Sequence, residues 1–585
     1  MTLKKMCAII LVICCTLGLS ACGITQHIVL LGSDSAPNYE VETLLYNALF
    51  DENLEGVKEA VALGADPNTV NMIPLKPTNA LYYYSMEHMG IDSYGGRRGT
   101  EISEFLLQAG ADPNAILNHD GMSLLMYTCN AMLATGAGVN TLFDQLLAHG
   151  ADVTLTDKQG FSALDYAVRD VDNTKVKKLL EYDAAISNKT LDFLLSPDAI
   201  GIDIYDSAMT ANTVLTAYAS QPGGAEPSPD IQLCTLAVEK KSAQFSRMLS
   251  EQSGECCELA QILAIAFCSP DLVERIASLD PTRAAEYVRL AILTDNSDTA
   301  RYLQEKYSVS PLDALQFSVE AGNESLVDQY LNSIEYRQLV STAGAGNEAY
   351  NTLATLLKNA CKNDSWEVVS ALIEAGPEYT ATTWYDAMTV AITEDNVSVI
   401  DGFCKSRKMD VNFRRSNNDY SFLSTAMLHG NPLIVNSLLK SGAIMHENES
   451  YLKDVASRGN TVLIKLCFQH NDYVGSKRPV EEAEALVEAI RIGSLDSVRA
   501  LLDSGIDVNV KITCSGYTED GTEKEMYIYP VHEAARNWSS GILKLLIENS
   551  ANIQLKDSDG KLPIDWAVTS YNKAVLIEAV STAEE

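Results

Sequence analysis

The feature that most constrains this chain is a tail that keeps returning. A short apolar run ends in Gly-Ala-Asp at 61–68 (VALGADPN), 106–114 (LLQAGADPN) and 146–154 (LLAHGADVT). Degenerate copies follow at 179–187, 372–380, 404–412, 438–446 and 501–509. Gly150 and Asp183 are 33 residues apart, Gly376 and Gly442 are 66 apart, and Gly442 and Gly505 are 63 apart. The chain is 585 residues long. A single core stops growing near ~250–300 residues, so a period this regular means stacked units rather than one globule.

The first half of each unit repeats as well. DKQGFSALDYAV at 157–168, DSDGKLPIDWAV at 557–568 and NHDGMSLLMYTC at 118–129 each open on a turn and run into a helix start, and YPVHEAA at 529–535 supplies another such start. Asp-x-x-Gly is turn chemistry, because Gly tolerates positive φ. A second helix carries a stripe at i, i+3, i+4, as in Val176, Leu179, Leu180 and Val498, Leu501, Leu502. That spacing puts one apolar face toward a core.

A period near 33 with a turn, a helix start of this kind and a Gly-Ala-Asp tail resembles the ankyrin repeat over most of 42–581. The tails are clear at 42–185 and 351–581 and fade at 231–341, where a generic helix-pair solenoid is the alternative. The resemblance implies an all-α, right-handed helical solenoid with short β-turn fingers, no parallel sheet and about 13–16 repeats. It also implies a concave face of fingers and first helices that binds proteins. The expected organisation is repeats at 42–195, a linker or long loop at 196–230, degenerate helix pairs at 231–341, and repeats at 342–470 and 471–585. Insertions near 72–100 and 510–528 interrupt regular repeats, and solenoid loops often project from the binding face.

The N-terminus has Lys4 and Lys5, an apolar run from Met6 to Leu19, and then Leu19-Ser20-Ala21-Cys22-Gly23. A basic start, a short apolar core and small residues at the cut describe a secretory leader. The run is shorter than the roughly 20 apolar residues that span a bilayer. Leu-Ser-Ala-Cys-Gly resembles a bacterial lipobox. That implies removal of 1–21, a diacylglycerol on Cys22 and a tether at 22–41; an ordinary leader with a coincidental Cys is the alternative. Each buried methylene adds ~0.8 kcal/mol, so a doubly acylated Cys22 is a stable anchor. The expected location is the outer side of the cytoplasmic membrane, or the periplasm or outer membrane of a cell with two membranes.

Formal net charge is −35 for the whole chain, and −37 without the two Lys of the leader. A body this acidic repels nucleic acid. Most of the charge reads as solvated surface, and secondarily as an attraction for a basic partner. Nine Cys lie beyond Cys22, scattered and without C-x-x-C. They do not form a disulfide framework and read mainly as small hydrophobes. Cys256 or Cys257 with Cys234 or Cys268 is the local pairing to consider; no His lies beside them at zinc-ligand spacing.

Catalytic constellations were sought by pattern. The sequence has no G-x-x-x-x-G-K-[ST], no G-x-S-x-G and no H-E-x-x-H. His532 stands where the ankyrin pattern places a His that bonds turn backbone. Asp557-Ser558-Asp559-Gly560 begins like a calcium loop, but its sixth and twelfth positions are Leu562 and Val568, so it reads as a repeat turn. Tyr and Arg are enriched at binding hot spots. Tyr83 and Tyr84, with Arg97 and Arg98 of the adjacent insertion, are therefore the candidate partner contacts. No catalytic residue, cofactor or metal is expected. The reading is a membrane-anchored, non-catalytic scaffold that binds a protein partner, of inhibitor or immunity type. An enzyme or ligand-binding domain hidden in 186–350 is the alternative.

Overall fold

The computed structural model describes residues 39–583 except 70, 73–76, 89–97, 117–119, 132–136, 197–202, 221–226, 253–255, 277–278, 417–418, 447–448, 470–478 and 518–522. The leader, Cys22 and Arg97 lie outside the described residues. The first described helix, Tyr39–Phe50, begins slightly inside the expected tether.

The described residues form an ankyrin-type stack of helix pairs, from Tyr39–Phe50 with Leu54–Ala62 to Pro563–Trp566 with Ser570–Ala583. One extra helix, Ile334–Thr342, is inserted between two pairs. First helices pack on first helices of the next unit, and second on second. The buried apolar residues make one continuous cluster along the array. Val176, Leu179, Val498 and Leu501 are fully buried, as their stripe requires, with Leu180 and Leu502 at its margin.

One unit shows why the sequence folds this way. Asp157 opens the turn and its carboxylate accepts the amides of Gln159 and Phe161. Ser162 and Asp165 form a capping box at the start of Ala163–Arg169. Val171 turns the chain at φ 58°, and Asp172 caps the second helix, Asn173–Glu181, through the Lys175 amide. Helices of seven and nine residues are too short to be stable alone. Each forms because its apolar face is covered by the neighbouring units.

The connector between the two helices carries the register from unit to unit. Its first residue is left-handed in unit after unit, as at Glu52, Asp295, Asp395 and Gly430. The next residue is commonly Asn, and its Nδ2 donates back to the end of the preceding first helix. Asn296 reaches the carbonyls of Ile265 (2.9 Å) and Cys268 (2.8 Å). Asn396 reaches Cys361 and Asn460 reaches Gly430; Asn363, with no left-handed residue before it, reaches Val319 and Glu320, and Asn572, in the first turn of Ser570–Ala583, reaches Ala535 and Asn537. These carbonyls lie past the last intrahelical partner, so the Asn ladder satisfies groups a helix end leaves open.

Residues 196–230 are not simply a linker. They contain the 17-residue helix Ile204–Ser220, which packs on Asn173–Glu181 and also lies against the first helices Pro229–Val238, Glu258–Phe267 and Ala284–Leu293. Its length and mostly apolar composition let it cover three units at once. Arg289 pins its start, pairing with Asp203 at 2.9 Å and with Glu320.

The insertion at 510–528 is an antiparallel hairpin, Ile512–Tyr517 with Glu523–Ile528. It lengthens one finger, and its Tyr527 carbonyl accepts the Ser558 amide of the next turn. The described strands form two such antiparallel pairs.

The first unit also touches the far end of the chain. Asn53 Nδ2 donates to Asn537 Oδ1 at 2.5 Å, and Trp538 Nε1 donates to Asp51. Glu59 accepts both the amide (2.5 Å) and the hydroxyl (2.8 Å) of Ser540. A Cβ on Gly56 would stand 2.9 Å from the Cβ of Trp538, so the absence of a side chain there permits the approach. Stack and contact together make a closed circuit.

Candidate functional site

The fingers present a second ladder, exposed where the connector ladder is largely buried. In each tail the Asp side chain accepts the amide two residues on: Asp66 from Asn68, Asp112 from Asn114, Asp152 from Thr154, Asp410 from Asn412 and Asp507 from Asn509. This is local Asx-turn chemistry. The following Asn then ties its finger to the next. Asn68 donates to Gly110 O (2.8 Å) and accepts from Asp112 N (2.7 Å), and Asn114 does the same with Gly150 O (3.4 Å) and Asp152 N (2.7 Å). Asn412 and Asn509 repeat the pattern at the other end.

The result is a row of exposed carboxylates held in a fixed order. The Thr154 hydroxyl, and then its amide, hold Asp152 below the usual carboxylate range. Stacked helices sit roughly 8–10 Å apart, so consecutive finger carboxylates recur near that spacing. In water their repulsion is weak at this distance. Several basic residues elsewhere pair with acids within the array, as Lys178 with Asp144 (2.5 Å), Arg169 with Asp170 (2.7 Å) and Lys453 with Glu484 (2.9 Å). The finger carboxylates take backbone amides instead.

Beneath the edge, the turns are locked from inside. Asp157 accepts the Tyr166 hydroxyl at 2.6 Å, and Asp557 accepts Trp566 Nε1 at 2.8 Å, each nine residues on. Asp557 also takes the amides of Asp559 and Lys561, so this loop is a repeat turn. His532 is fully buried, and its Nε2 hydrogen-bonds the Lys561 carbonyl at 3.2 Å. Burial holds its pKa below the ordinary imidazole value. Glu449 plays the Asp157 role in another turn, accepting the amide (2.7 Å) and hydroxyl (2.6 Å) of Ser421 and the hydroxyl of Tyr451.

The expected contact residues fare differently. Tyr83 is 7% exposed and Tyr84 0%; both belong to the core, and Tyr83 meets Tyr46 edge-on at 5.6 Å. They are corrected from contact to packing residues: their helix, Ala80–His88, faces two neighbouring helices, which cover both rings. Arg98 is the first residue of the helix Arg98–Gln108. Arg97 lies outside the described residues, and the correction concerns the two Tyr alone. The finger Asp row was present in the tails but read only as a mark of the fold. A signal for the end-to-end contact was Trp538, a bulky ring following a connector Asn.

The alternative of a hidden enzyme domain needs clustered titratable groups in a closed pocket. Within 188–342 the described residues form helix pairs and the inserted helix. An open groove of about 500 Å³ lies there, lined by Arg301, Gln304, Glu305 and Tyr330 among others. Among the described residues no group of His, Cys, Asp and Glu could hold a metal ion, and no helix is long and apolar enough to cross a membrane.

No family model matches the sequence, and no curated protein matches it. Among solved structures, the human ASB11 ankyrin repeat domain is similar to part of the chain, with 19% identity over 38% of this chain and 96% of that one and a TM-score of 0.30. At that score nothing about partner or activity follows from the likeness.

Proposed function

We propose that this protein is a non-catalytic scaffold, lipid-anchored through Cys22 on the outer side of a bacterial membrane, that captures a protein partner with a basic surface. The observation that supports this most is the finger edge: Asp66, Asp112 and Asp152 are exposed, held in order by backbone amides and joined by Asn68 and Asn114. A preformed row of like charges loses little entropy on binding, and charge complementarity sets on-rate and specificity. Capture that blocks a partner's active surface, as an inhibitor or immunity protein does, suits a rigid array.

The test is affinity capture from the native envelope with the mature protein, followed by the same capture with Asp66→Asn, Asp112→Asn and Asp152→Asn combined. The reading expects a basic partner that the triple variant loses and that salt elutes. A partner retained equally by both proteins overturns the finger edge as its site. For the anchor, Cys22→Ser should move the protein into the soluble fraction; persistence on carbonate-washed membranes would remove that part of the reading.

A further inference from the structure

The four cysteines of residues 234–268 are not equivalent. Cys234 lies on Pro229–Val238 and is fully buried. Cys257 is the N-cap residue of the next first helix, Glu258–Phe267, and is only half-buried. Their sulfurs are 3.8 Å apart, in contact across two neighbouring units. Cys268, at the other end of that helix, donates to the Ala237 carbonyl at 3.6 Å. Cys256 is Cys257's sequence neighbour, yet no sulfur faces it in the same way.

We propose that Cys257 and Cys234 form a thiol–disulfide exchange site, in which Cys257 attacks an external disulfide and Cys234 resolves the mixed disulfide into an intramolecular bridge between two units. The exposure pattern fixes the order. An oxidant from solvent reaches the half-buried Cys257, and the buried Cys234 meets the Cys257 sulfur.

The electrostatics agree with the geometry. Cys257 is held below the ordinary thiol range, chiefly by the hydrogen bond from Cys234. The Ala260 amide in the first turn pulls the same way, though it makes no formed cap bond. A helix N-terminus favours the thiolate, which is the nucleophile in exchange. The hydrogen bond to Cys257 and burial push Cys234 up, so the shared proton rests there. Burial pushes Cys256 up to about 12 and Cys268 up to about 11, which leaves both as thiols near neutral pH.

With oxidised glutathione as the oxidant, the steps balance. The Cys257 thiolate attacks one glutathione sulfur, the glutathione S–S bond breaks, and one glutathione thiolate leaves. Cys234 gives up its proton to water, its sulfur attacks that of Cys257, the Cys257–glutathione S–S bond breaks, and the second glutathione leaves as thiolate; the two glutathione thiolates take up the two protons that the protein thiols have lost. Two protein thiols are oxidised and one glutathione disulfide is reduced to two thiols. The sulfurs must close from 3.8 Å to the ~2.05 Å of a disulfide, a move of side-chain rotation size.

Two measurements on the folded, mature protein test this. Peptide-resolved alkylation at neutral pH should label Cys257 at least about tenfold faster than Cys256, since each pKa unit is a factor of ten in thiolate. Treatment with oxidised glutathione, then peptide mapping without reductant, should give a 234–257 crosslink. That link should persist in Cys256→Ser and be replaced by a glutathione adduct on Cys257 in Cys234→Ser. Equal labelling of Cys256 and Cys257, a crosslink through Cys256, or Cys234 and Cys257 both left free after treatment would each overturn the proposal. The labelling rates use the unaltered chain, so they decide even if a serine variant folds poorly.

Discussion

In the first units, Asn68 and Asn114 each tie one finger to the next. Between Pro229 and Ala360 the Gly-Ala-Asp tails are missing from the sequence, and the units remain stacked. There connector ties persist, from Asn296 to Ile265 and Cys268 and, just beyond, from Asn363 to Val319 and Glu320. The connector ladder also continues through the fingered C-terminal units, at Asn460 and Asn572. Stacking is thus specified by helix stripes and connector Asn residues, and the finger is an addition that a unit can lose. A part that is dispensable for stacking is free to serve as a surface.

Four substitutions and one titration test this contrast. Asn296→Ala should be the most damaging, about 2–3 kcal/mol, because two carbonyls lose their partner in a half-buried site. Urea unfolding followed by hydrogen exchange around 258–307 would show it; a loss under about 0.5 kcal/mol would mean that the connector is not what holds the middle together. Gly402→Ala should cost about 1–3 kcal/mol. Its Cβ would sit 2.0 Å from the Trp366 ring, between second helices of adjacent units. An unchanged unfolding midpoint would show that this interface has slack. Asn68→Ala should cost less, about 0.5–1 kcal/mol, since its finger bonds are exposed to water. If Asn68→Ala cost more than Asn296→Ala, the ranking of finger below connector would be reversed. Lys240→Gly should gain about 0.5 kcal/mol, because Lys240 is exposed and left-handed at φ 56°. A fall in melting temperature would contradict that.

The titration concerns His532. Its folded pKa lies below 6.5, so below about pH 6.5 the unfolded chain takes up a proton that the folded chain refuses. Its contribution to stability is complete above that pH and declines as pH falls, until the folded imidazole also protonates. NMR of the ring protons should place the transition below 6.5, and hydrogen exchange should show the units around 530–566 loosening first. A transition at or above 6.5 would remove this contribution.

How much of this could be read from the sequence depends on where the partner atoms lie. The fingers were legible because Gly-Ala-Asp is contiguous and its φ requirement selects Gly; the stripes were legible because 3.6-residue periodicity is local. The connector appeared only as Gly-Asn or Asp-Asn. Its other half is a backbone carbonyl about 30 residues earlier, which has no residue signature. Helix Ile204–Ser220 was read as a loop because Pro, Gly and Ser crowd the segment just after it. Tyr83 and Tyr84 were chosen for their type, and only packing could show that both rings face inward. The Asp51–Trp538 bond joins residues 487 positions apart, beyond the reach of any repeat pattern.

That bond has a consequence for how the molecule comes apart. An open row of units frays from its two ends, where each last unit has a neighbour on one side only. Here the leading unit is gripped from both sides, by its successor and by Asn537–Ser540, so melting cannot start there without breaking the seam. A pull transmitted along the segment before Tyr39 would load the seam first. The strength of that one junction would then govern whether the protein yields as a whole or unspools unit by unit.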